Sequence, residues 1–226
     1  MSRIYDRQKA IGLRKKGFPY SKIKHTLGIP KSTLSGWLKD YPLTDKQMAA
    51  LTKNRTESRY VAIEKTRITK QNKKKARLLV VYKQEQARWG SLTKTEIELA
   101  GLFLYWGEGG KTMSGSLSLS NTDPQVLKFT LYWLKYALNV PQEKIKVFLH
   151  LYNDMNVGQE IEYWSRELKL PATQFSKPYI KTSSRVEISH KGFGHGTCGL
   201  SVNNTRLKEK IMMSIKAIAD YYAQKI

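Results

Sequence analysis

One acidic residue, Glu108, stands where its side chain could do chemistry. It follows an apolar stretch with helical spacing and lies between two glycines in ELAGLFLYWGEGGK, Glu98–Lys111. A carboxylate is a hard oxygen ligand of the kind that Mg²⁺ takes, and a bound metal ion can activate water. Lys111 follows three residues later, where it could contact a phosphate or remain a solvated surface lysine.

Two further sets of polar residues are weaker candidates. One could form a nuclease cluster and the other lies in a Gly-rich loop that could hold a metal: His150, Asn153 and Asp154, and His190, His195 and Cys198. The second set lacks a fourth ligand, whereas structural zinc sites take four. Asn121 and Asp123 lie at a strand-to-helix junction, where helix capping is the more common role.

The Glu98–Lys111 stretch resembles the LAGLIDADG motif of homing endonucleases, and the resemblance extends over about residues 95–225. In that family the motif helix pairs with its twin and delivers one acidic residue to a DNA-facing sheet. The resemblance implies that Glu108 binds Mg²⁺, that Glu108 and Lys111 are catalytic, and that Gly107 and Gly109 are flanking small positions. Because the chain holds one copy of the motif, a homodimer on near-palindromic DNA is expected.

Two other functions stay open beside this one. The Leu99–Leu102 half of the motif lies two residues farther from Gly-Glu-Gly than in the family pattern, which favours a non-catalytic transcriptional regulator. In that hypothesis the same sheet would read DNA without cutting it. The retention of Glu108 favours the endonuclease. An accessory protein of a mobile element, without cleavage, is the third hypothesis.

The elements ahead of this motif predict a second DNA contact. Helices are predicted over Tyr5–Lys16, from a Ser21 N-cap, and from about Lys31, with Gly28 as the turn residue. Their apolar spacing predicts one small shared core that contains Ile23, Leu27, Ile29, Leu34 and Trp37.

The segment YSKIKHTLGIPKSTLSGWLK, Tyr20–Lys39, resembles the helix-turn-helix of resolvases and transposases. The resemblance implies that one set of polar residues faces the DNA major groove: Lys31, Ser32, Thr33 and Ser35. It places Lys39 near a phosphate. A small helical bundle with a polar surface is the alternative structural interpretation.

The charge of the chain favours a polyanionic partner. Of the net +22, residues 1–44 carry +8, residues 45–90 carry +9 and residues 91–226 carry +5. The middle segment is either a long basic helix or a partly disordered segment that orders on DNA, and the helix, in which Lys73, Lys74 and Lys75 contact the DNA backbone, is favoured. We therefore expect double-stranded DNA as the partner.

The fold class predicted from these patterns is α+β. A helix-turn-helix domain is expected over 1–44, a basic helical linker over 45–92, and a LAGLIDADG-like domain with a mainly antiparallel sheet over 93–226. Strands are expected at Ser116–Asn121 and at 145–151, and Val186 with Ile188 and Leu200 with Val202 suggest a hairpin. Helical spacing of the aromatic residues predicts core packing for Tyr105, Trp106, Tyr132, Trp133 and Trp164.

Composition also excludes several classes of protein. The single cysteine, Cys198, rules out an intrachain disulfide and a multi-cysteine zinc site. The sequence has no long apolar run, signal peptide or lipidation motif, so we expect no membrane contact and a DNA-associated, cytoplasmic location.

Overall fold

The computed structural model describes residues 3–52, 55–112, 115–183 and 194–225. The chain forms two compact units, Met1–Ser91 and Leu92–Ile226. In the described residues the first unit is helical and the second combines helices with a four-stranded mixed sheet. The predicted α+β class is confirmed at this level.

The first unit begins with three short helices: α1 (Arg3–Lys15), α2 (Tyr20–Leu27) and α3 (Lys31–Leu38). Their shared core is formed by Ala10, Tyr20, Ile23, Ile29, Leu34 and Leu38. Gly28 ends α2 at φ 67°, and its N–H donates to the Lys24 carbonyl at 2.9 Å. Glycine suits this left-handed position because a Cβ would be strained there.

The predicted N-cap at Ser21 is wrong. The helix begins one residue earlier, at Tyr20, and Pro19 occupies the cap position with φ −70° and ψ 157°. The proline ring already holds φ close to the helical value, and its missing N–H is not needed at a helix start. Pro30 occupies the equivalent position before α3.

Two more helices complete the first unit, α4 (Asp45–Thr52) and α5 (Arg55–Trp89). They share a small apolar cluster of Leu43, Met48 and Val61. Glu64 on α5 accepts hydrogen bonds from Arg14 on α1 and from Arg67, so α5 is tied to the three-helix core by charged groups. From residue 72 to residue 90 every side chain is exposed.

The second unit alternates helices with strands. In chain order its elements are α6 (Lys94–Glu108), β1 (Leu117–Asn121), α7 (Pro124–Tyr132), β2 (Ile145–Tyr152), α8 (Val157–Leu168), β3 (Tyr179–Lys181), β4 (Thr197–Val202) and α9 (Thr205–Ala223). A π-helical turn, Trp133–Ala137, extends α7. The strand order is β1-β4-β2-β3, antiparallel at the first two pairings and parallel between β2 and β3.

Side chains alternate between the two faces of the sheet, and in this unit one face is buried and the other is open. The buried face carries Leu119 on β1, Val147 and Leu149 on β2, and Cys198 and Leu200 on β4, all within the main core. Helices α6, α7 and α9 contact β1, and α7 also contacts β4. The core thus lies between these helices and one side of the sheet.

Several predictions about this unit need correction. The predicted hairpin partner of β4 lies at Val186 and Ile188, outside the described residues, and β4 pairs with β1 and β2. Trp106 and Tyr132 are exposed, so the prediction of core packing is wrong for them and confirmed for the other three aromatics. Helical spacing marks a common face but does not say whether a neighbouring element covers it.

Across the described ranges, the search for a helix long and apolar enough to cross a membrane finds none.

Candidate nucleic-acid interface and candidate active site

Helix α3 presents a polar surface over its buried residues. Leu34 and Leu38 point into the three-helix core, and the opposite side is exposed. The exposed positions are Lys31, Ser32, Ser35, Gly36 and Lys39, and Thr33 is half-buried. Three of the four residues predicted for the major groove, Lys31, Ser32 and Ser35, are therefore exposed on α3, and Thr33 is only partly exposed. These side chains include small hydroxyl groups and lysines, which suit base edges and phosphates respectively.

Helix α5 lies beside the end of α3. The Gln71 side chain donates from Nε2 to the Lys39 carbonyl at 3.1 Å, so one turn of α5 is fixed to the C-terminal end of α3. The three lysines that are predicted to contact the DNA backbone, Lys73, Lys74 and Lys75, are exposed on the next turn. The basic run thus begins at the predicted recognition surface.

The open sheet face of the second unit is a further candidate that the sequence did not single out. Strand register places three rows of side chains on it: Ser118, Ser201 and Lys146; Ser120, Gly199 and Phe148; and Thr197, His150 and Tyr179. The Phe148 ring lies over Gly199, where a Cβ would overlap it. Rings of His150 and Tyr179 meet edge to face at 5.5 Å. None of these named positions is acidic.

The signal that could have identified this face was present in β2. Lys146, Phe148 and His150 alternate with buried Val147 and Leu149. The alternation shows that this strand has one uncovered side, but register with β1 and β4 is needed to show which residues join it there.

Glu108 lies where α6 meets the sheet. It is the last residue of α6, and Gly109 occupies the C-cap position of this helix. Gly109 bridges to Leu119 of β1, and the Gly110 N–H donates to the Ser118 carbonyl at 3.0 Å. The Glu108 carboxylate is exposed and accepts from the Asn121 amide at 3.4 Å.

The side chain of Tyr105 on α6 holds the turn that follows Glu108. Tyr105 is fully buried and donates from its hydroxyl to the Gly110 carbonyl at 2.8 Å. Burial raises the pKa of this phenol above its ordinary value. The ring also leaves no room for a Cβ at Gly109. Because of these contacts, the position of Glu108 at the sheet edge is fixed by packing.

Lys111 has a structural role in this turn. Its ammonium donates to the carbonyls of Tyr105 and Gly109, both at 3.0 Å, and therefore satisfies carbonyls at the end of α6. A contact with phosphate would require Lys111 to share or leave these bonds.

One side of α6 is apolar and uncovered by the unit itself. Leu99, Phe103 and Trp106 are 45%, 49% and 43% exposed, and they lie on one face of the helix with Gly107. The opposite face is buried through Gly101, Leu102 and Tyr105. Three large apolar side chains in one exposed row are typical of a contact surface.

A single chain does not supply a metal site from its described residues. In the described ranges there is no group of three or more His, Cys, Asp or Glu side chains that could hold an ion. The side chain that contacts Glu108 is the Asn121 amide. This pair supplies too few oxygen ligands for the octahedral coordination of Mg²⁺. A metal at Glu108 would need ligands from a second copy or from DNA.

The two weaker candidate sets are separated by the fold. Cys198 is buried in the core, and burial raises the pKa of its thiol. The His195 ring stacks on the Tyr163 ring with 3.5 Å between centroids, and its Nδ1 forms a hydrogen bond with the Glu160 carboxylate at 2.8 Å. His190 lies outside the described residues.

His150 packs between aromatic rings, and Asn153 donates to the Thr182 carbonyl at 2.7 Å. Asp123 caps α7 through the Gln125 N–H, as predicted.

Comparison with protein-family models, with curated proteins and with solved structures finds no match to this chain.

Proposed function

We propose that this protein binds double-stranded DNA in a sequence-specific manner through α3. The observation that carries the proposal is the exposed row of Lys31, Ser32, Ser35 and Lys39, mounted on a helix that is anchored by Leu34 and Leu38. A short helix held rigidly on a small core, with its polar side uncovered, fits the major groove in size and chemistry. Its resemblance to resolvase and transposase helix-turn-helix segments supports the same proposal.

Two other surfaces would add affinity. The basic run on α5 starts beside α3 and would contact phosphates without reading bases. The open sheet face offers hydroxyl groups and Lys146, with no acidic residue among its register positions. A LAGLIDADG-like domain that lays this face on DNA is the finer architecture we propose for residues 93–226. The protein would then be found on the DNA of the cytoplasm or nucleoid.

Metal-dependent DNA cleavage by a homodimer is the second candidate function. It is favoured by the exposure of Glu108 at the sheet edge, at the C-terminal end of the helix that carries the uncovered apolar row. A parallel pairing of two copies in which these helix ends meet would place two Glu108 residues near each other and supply oxygen ligands for Mg²⁺. A regulator or an accessory protein of a mobile element would use the same DNA surfaces without this step.

The binding proposal is tested by recovering bound DNA from a randomised duplex library. The wild-type chain is compared with a Ser32→Ala, Ser35→Ala double variant and with Thr95→Ala, an exposed hydroxyl on α6, as control. We expect one enriched site for the wild type and the control, and a relaxed site for the double variant, since each lost base contact costs about 1–3 kcal/mol of discrimination. Unchanged site preference in the double variant would remove α3 as the reading helix.

The cleavage proposal uses the same library with Mg²⁺ and with Glu108→Gln. Specific cuts that disappear in Glu108→Gln, while its binding is retained, support the endonuclease. An enriched site without cuts in the wild-type reaction supports the regulator, and DNA binding itself then stands unchanged.

A further inference from the structure

A groove of about 500 Å³ lies in the first unit between α2, α3 and α5. Its lining residues come from the start of α2, from α3 and from three turns of α5: Pro19, Tyr20, Ser21, Lys31, Ser35, Arg59, Tyr60, Ala62, Ile63, Glu64, Thr66, Arg67 and Lys70. Of these residues, the proposed DNA contact uses only Lys31 and Ser35. The shape and charge of the groove are therefore not explained by that contact.

Three polar atoms of the lining are buried without a hydrogen-bond partner among the residues that the structure describes. They are the hydroxyls of Tyr20 and Ser21 and the Nε of Arg67. Tyr20 is 9% exposed, and the guanidinium carbons of Arg14 and Arg67 both lie over its ring, 4.6 Å and 5.0 Å from the ring centroid. Buried polar groups in folded proteins are nearly always paired, so three unpaired donors beneath the lining of one groove favour an acceptor that enters the groove and reaches them once the side chains covering them move aside.

The charge of the lining specifies an anion. Four cations line the groove, Lys31, Arg59, Arg67 and Lys70, against the single carboxylate of Glu64. That carboxylate is already engaged, because one of its oxygens accepts from Arg14, from Arg67 at 2.7 Å and from the Leu43 N–H at 3.4 Å. The cations at the rim thus remain largely uncompensated within the groove.

The walls of the groove are apolar. Ile63 is 47% exposed on α5, and Tyr60 and the ring of Tyr20 lie with it along the groove. A bare inorganic ion would leave this surface in water, whereas a hydrocarbon body would cover it. The two features together call for a ligand with an anionic head and an apolar body.

We propose that this groove binds a small organic anion, a carboxylate or phosphate ester with an aromatic or aliphatic body. The head group contacts the rim cations Lys31, Arg59 and Lys70 and, once the side chains that cover them move aside, accepts from Tyr20, Ser21 and Arg67. The body lies against Ile63 and Tyr60. Because Lys31 and Ser35 line the groove and also belong to the α3 surface, the bound anion lowers affinity for DNA. This last consequence rests on the proposed function, and ligand binding itself does not.

The test is calorimetric titration of the full chain, without DNA, with phenyl phosphate, inorganic phosphate and the neutral benzyl alcohol. We expect phenyl phosphate to bind at least about tenfold more tightly than inorganic phosphate or benzyl alcohol. Inorganic phosphate has only the anionic head of the proposed ligand, and benzyl alcohol has only the apolar body. Equal affinity for phenyl phosphate and inorganic phosphate would overturn the proposal in favour of a simple phosphate contact. No binding of phenyl phosphate would overturn it as well.

Three variants locate the site. Tyr20→Phe removes only the unpaired hydroxyl, and Lys70→Gln removes a rim cation; Lys65→Gln removes an exposed cation of the same helix outside the groove. A hydrogen bond to a charged group is worth about 1.5–3 kcal/mol, so Tyr20→Phe should weaken phenyl phosphate binding by about tenfold or more.

Tyr20→Phe should keep the melting temperature of the wild type, since its hydroxyl has no partner in the chain. Wild-type affinity in both groove variants, with folding intact, would show that phenyl phosphate binds elsewhere and would refute the assignment. Because DNA is absent from these titrations, a failure of DNA binding does not affect their outcome.

Discussion

At the scale of single residues, the charged cluster of Arg14, Glu64 and Arg67 joins α5 to the three-helix core. Arg14 is 1% exposed and Glu64 is 5% exposed, so both charges are almost fully removed from water. Arg14 also donates from Nε to the Tyr41 carbonyl at 2.8 Å. Replacing both members of a buried ion pair by apolar residues often changes the free energy of unfolding little. Removing one member destabilises the fold, because it leaves an uncompensated buried charge.

Glu64→Gln should therefore destabilise the first unit by about 3 kcal/mol or more, as measured by urea unfolding. The matched control is Asp220→Asn, which breaks the exposed Lys216–Asp220 pair, with side chains 63% and 56% exposed. That change should cost less than about 1 kcal/mol. A cost for Glu64→Gln no larger than for the control would mean that the buried pair does not hold α5 in place.

The same carboxylate makes stability depend on pH. Burial acts to raise the pKa of Glu64, but hydrogen bonds from Arg67 and Arg14 outweigh it, so the folded pKa lies below the ordinary 4.5. The stabilisation is therefore complete above pH 4.5 and is lost as pH falls through the folded value. Unfolding free energies of wild type and Glu64→Gln, measured from pH 7 downward, should converge in acid. A constant difference at all pH values would contradict this linkage.

Two glycines of α6 have opposite environments. A Cβ at Gly101 would overlap the buried indole of Trp133, whereas at Gly107 it would meet open space. Gly101→Ala should destabilise the second unit by about 3 kcal/mol through overpacking. Gly107→Ala should stabilise it by up to about 1 kcal/mol through helix propensity. Thermal unfolding of both variants tests this. A melting temperature of Gly101→Ala equal to that of Gly107→Ala would show that Trp133 moves aside at little cost.

At the scale of elements, the predictions that rest on apolar spacing are the ones the structure confirms. Ile23, Ile29 and Leu34 lie in the shared three-helix core, and β2 alternates over 145–151, as predicted. The three-residue strand β3 was missed, because three residues are too short for a period and Pro178 precedes them. Its place in the sheet depends on parallel pairing with β2, which is a long-range contact that local spacing does not contain.

The candidate site was predictable in part for the same reason. The polar side of α3 follows from helical spacing, and three of the four residues predicted to face the DNA major groove, Lys31, Ser32 and Ser35, are exposed there. The roles of Lys111 and of the exposed Trp106 were not predictable. Lys111 turns back onto the carbonyls of Tyr105 and Gly109, and Trp106 is 43% exposed because the described elements of its unit cover that face only in part. Both facts depend on tertiary contacts rather than on residue type.

The basic run of α5 gives a prediction for this helix alone. Replacing Lys73, Lys74 and Lys75 with glutamine should reduce the slope of log affinity against log salt by about 2–3, because each lost phosphate contact releases about one counterion fewer. The preferred DNA sequence should not change. The control removes three exposed lysines of the second unit, Lys144, Lys210 and Lys225. Equal effects of the two triple variants would mean that net charge alone sets affinity, without a contact by α5.

At the scale of the whole molecule, the decisive question is whether two copies associate through α6. Leu99, Phe103 and Trp106 form the uncovered apolar row, and Glu108 lies at the C-terminal end of the same helix. One chain's described residues do not complete a metal site, so any chemistry at Glu108 depends on this association. Binding by α3 requires no partner, although two copies would double the contacts with a palindromic site.

Phe103→Glu should therefore convert a concentration-dependent dimer into a monomer in sedimentation velocity experiments, because it places a charge in the centre of the apolar row. Met213→Glu is the matched control, since Met213 is 48% exposed on α9 and lies on the side opposite the buried Ile211 and Ile215. The Phe103→Glu monomer should lose any Mg²⁺-dependent cutting and bind a palindromic site more weakly, while its affinity for a half-site is retained. A wild-type chain that sediments as a monomer at all concentrations would contradict association through α6, and it would leave the DNA-binding regulator as the function that these surfaces support.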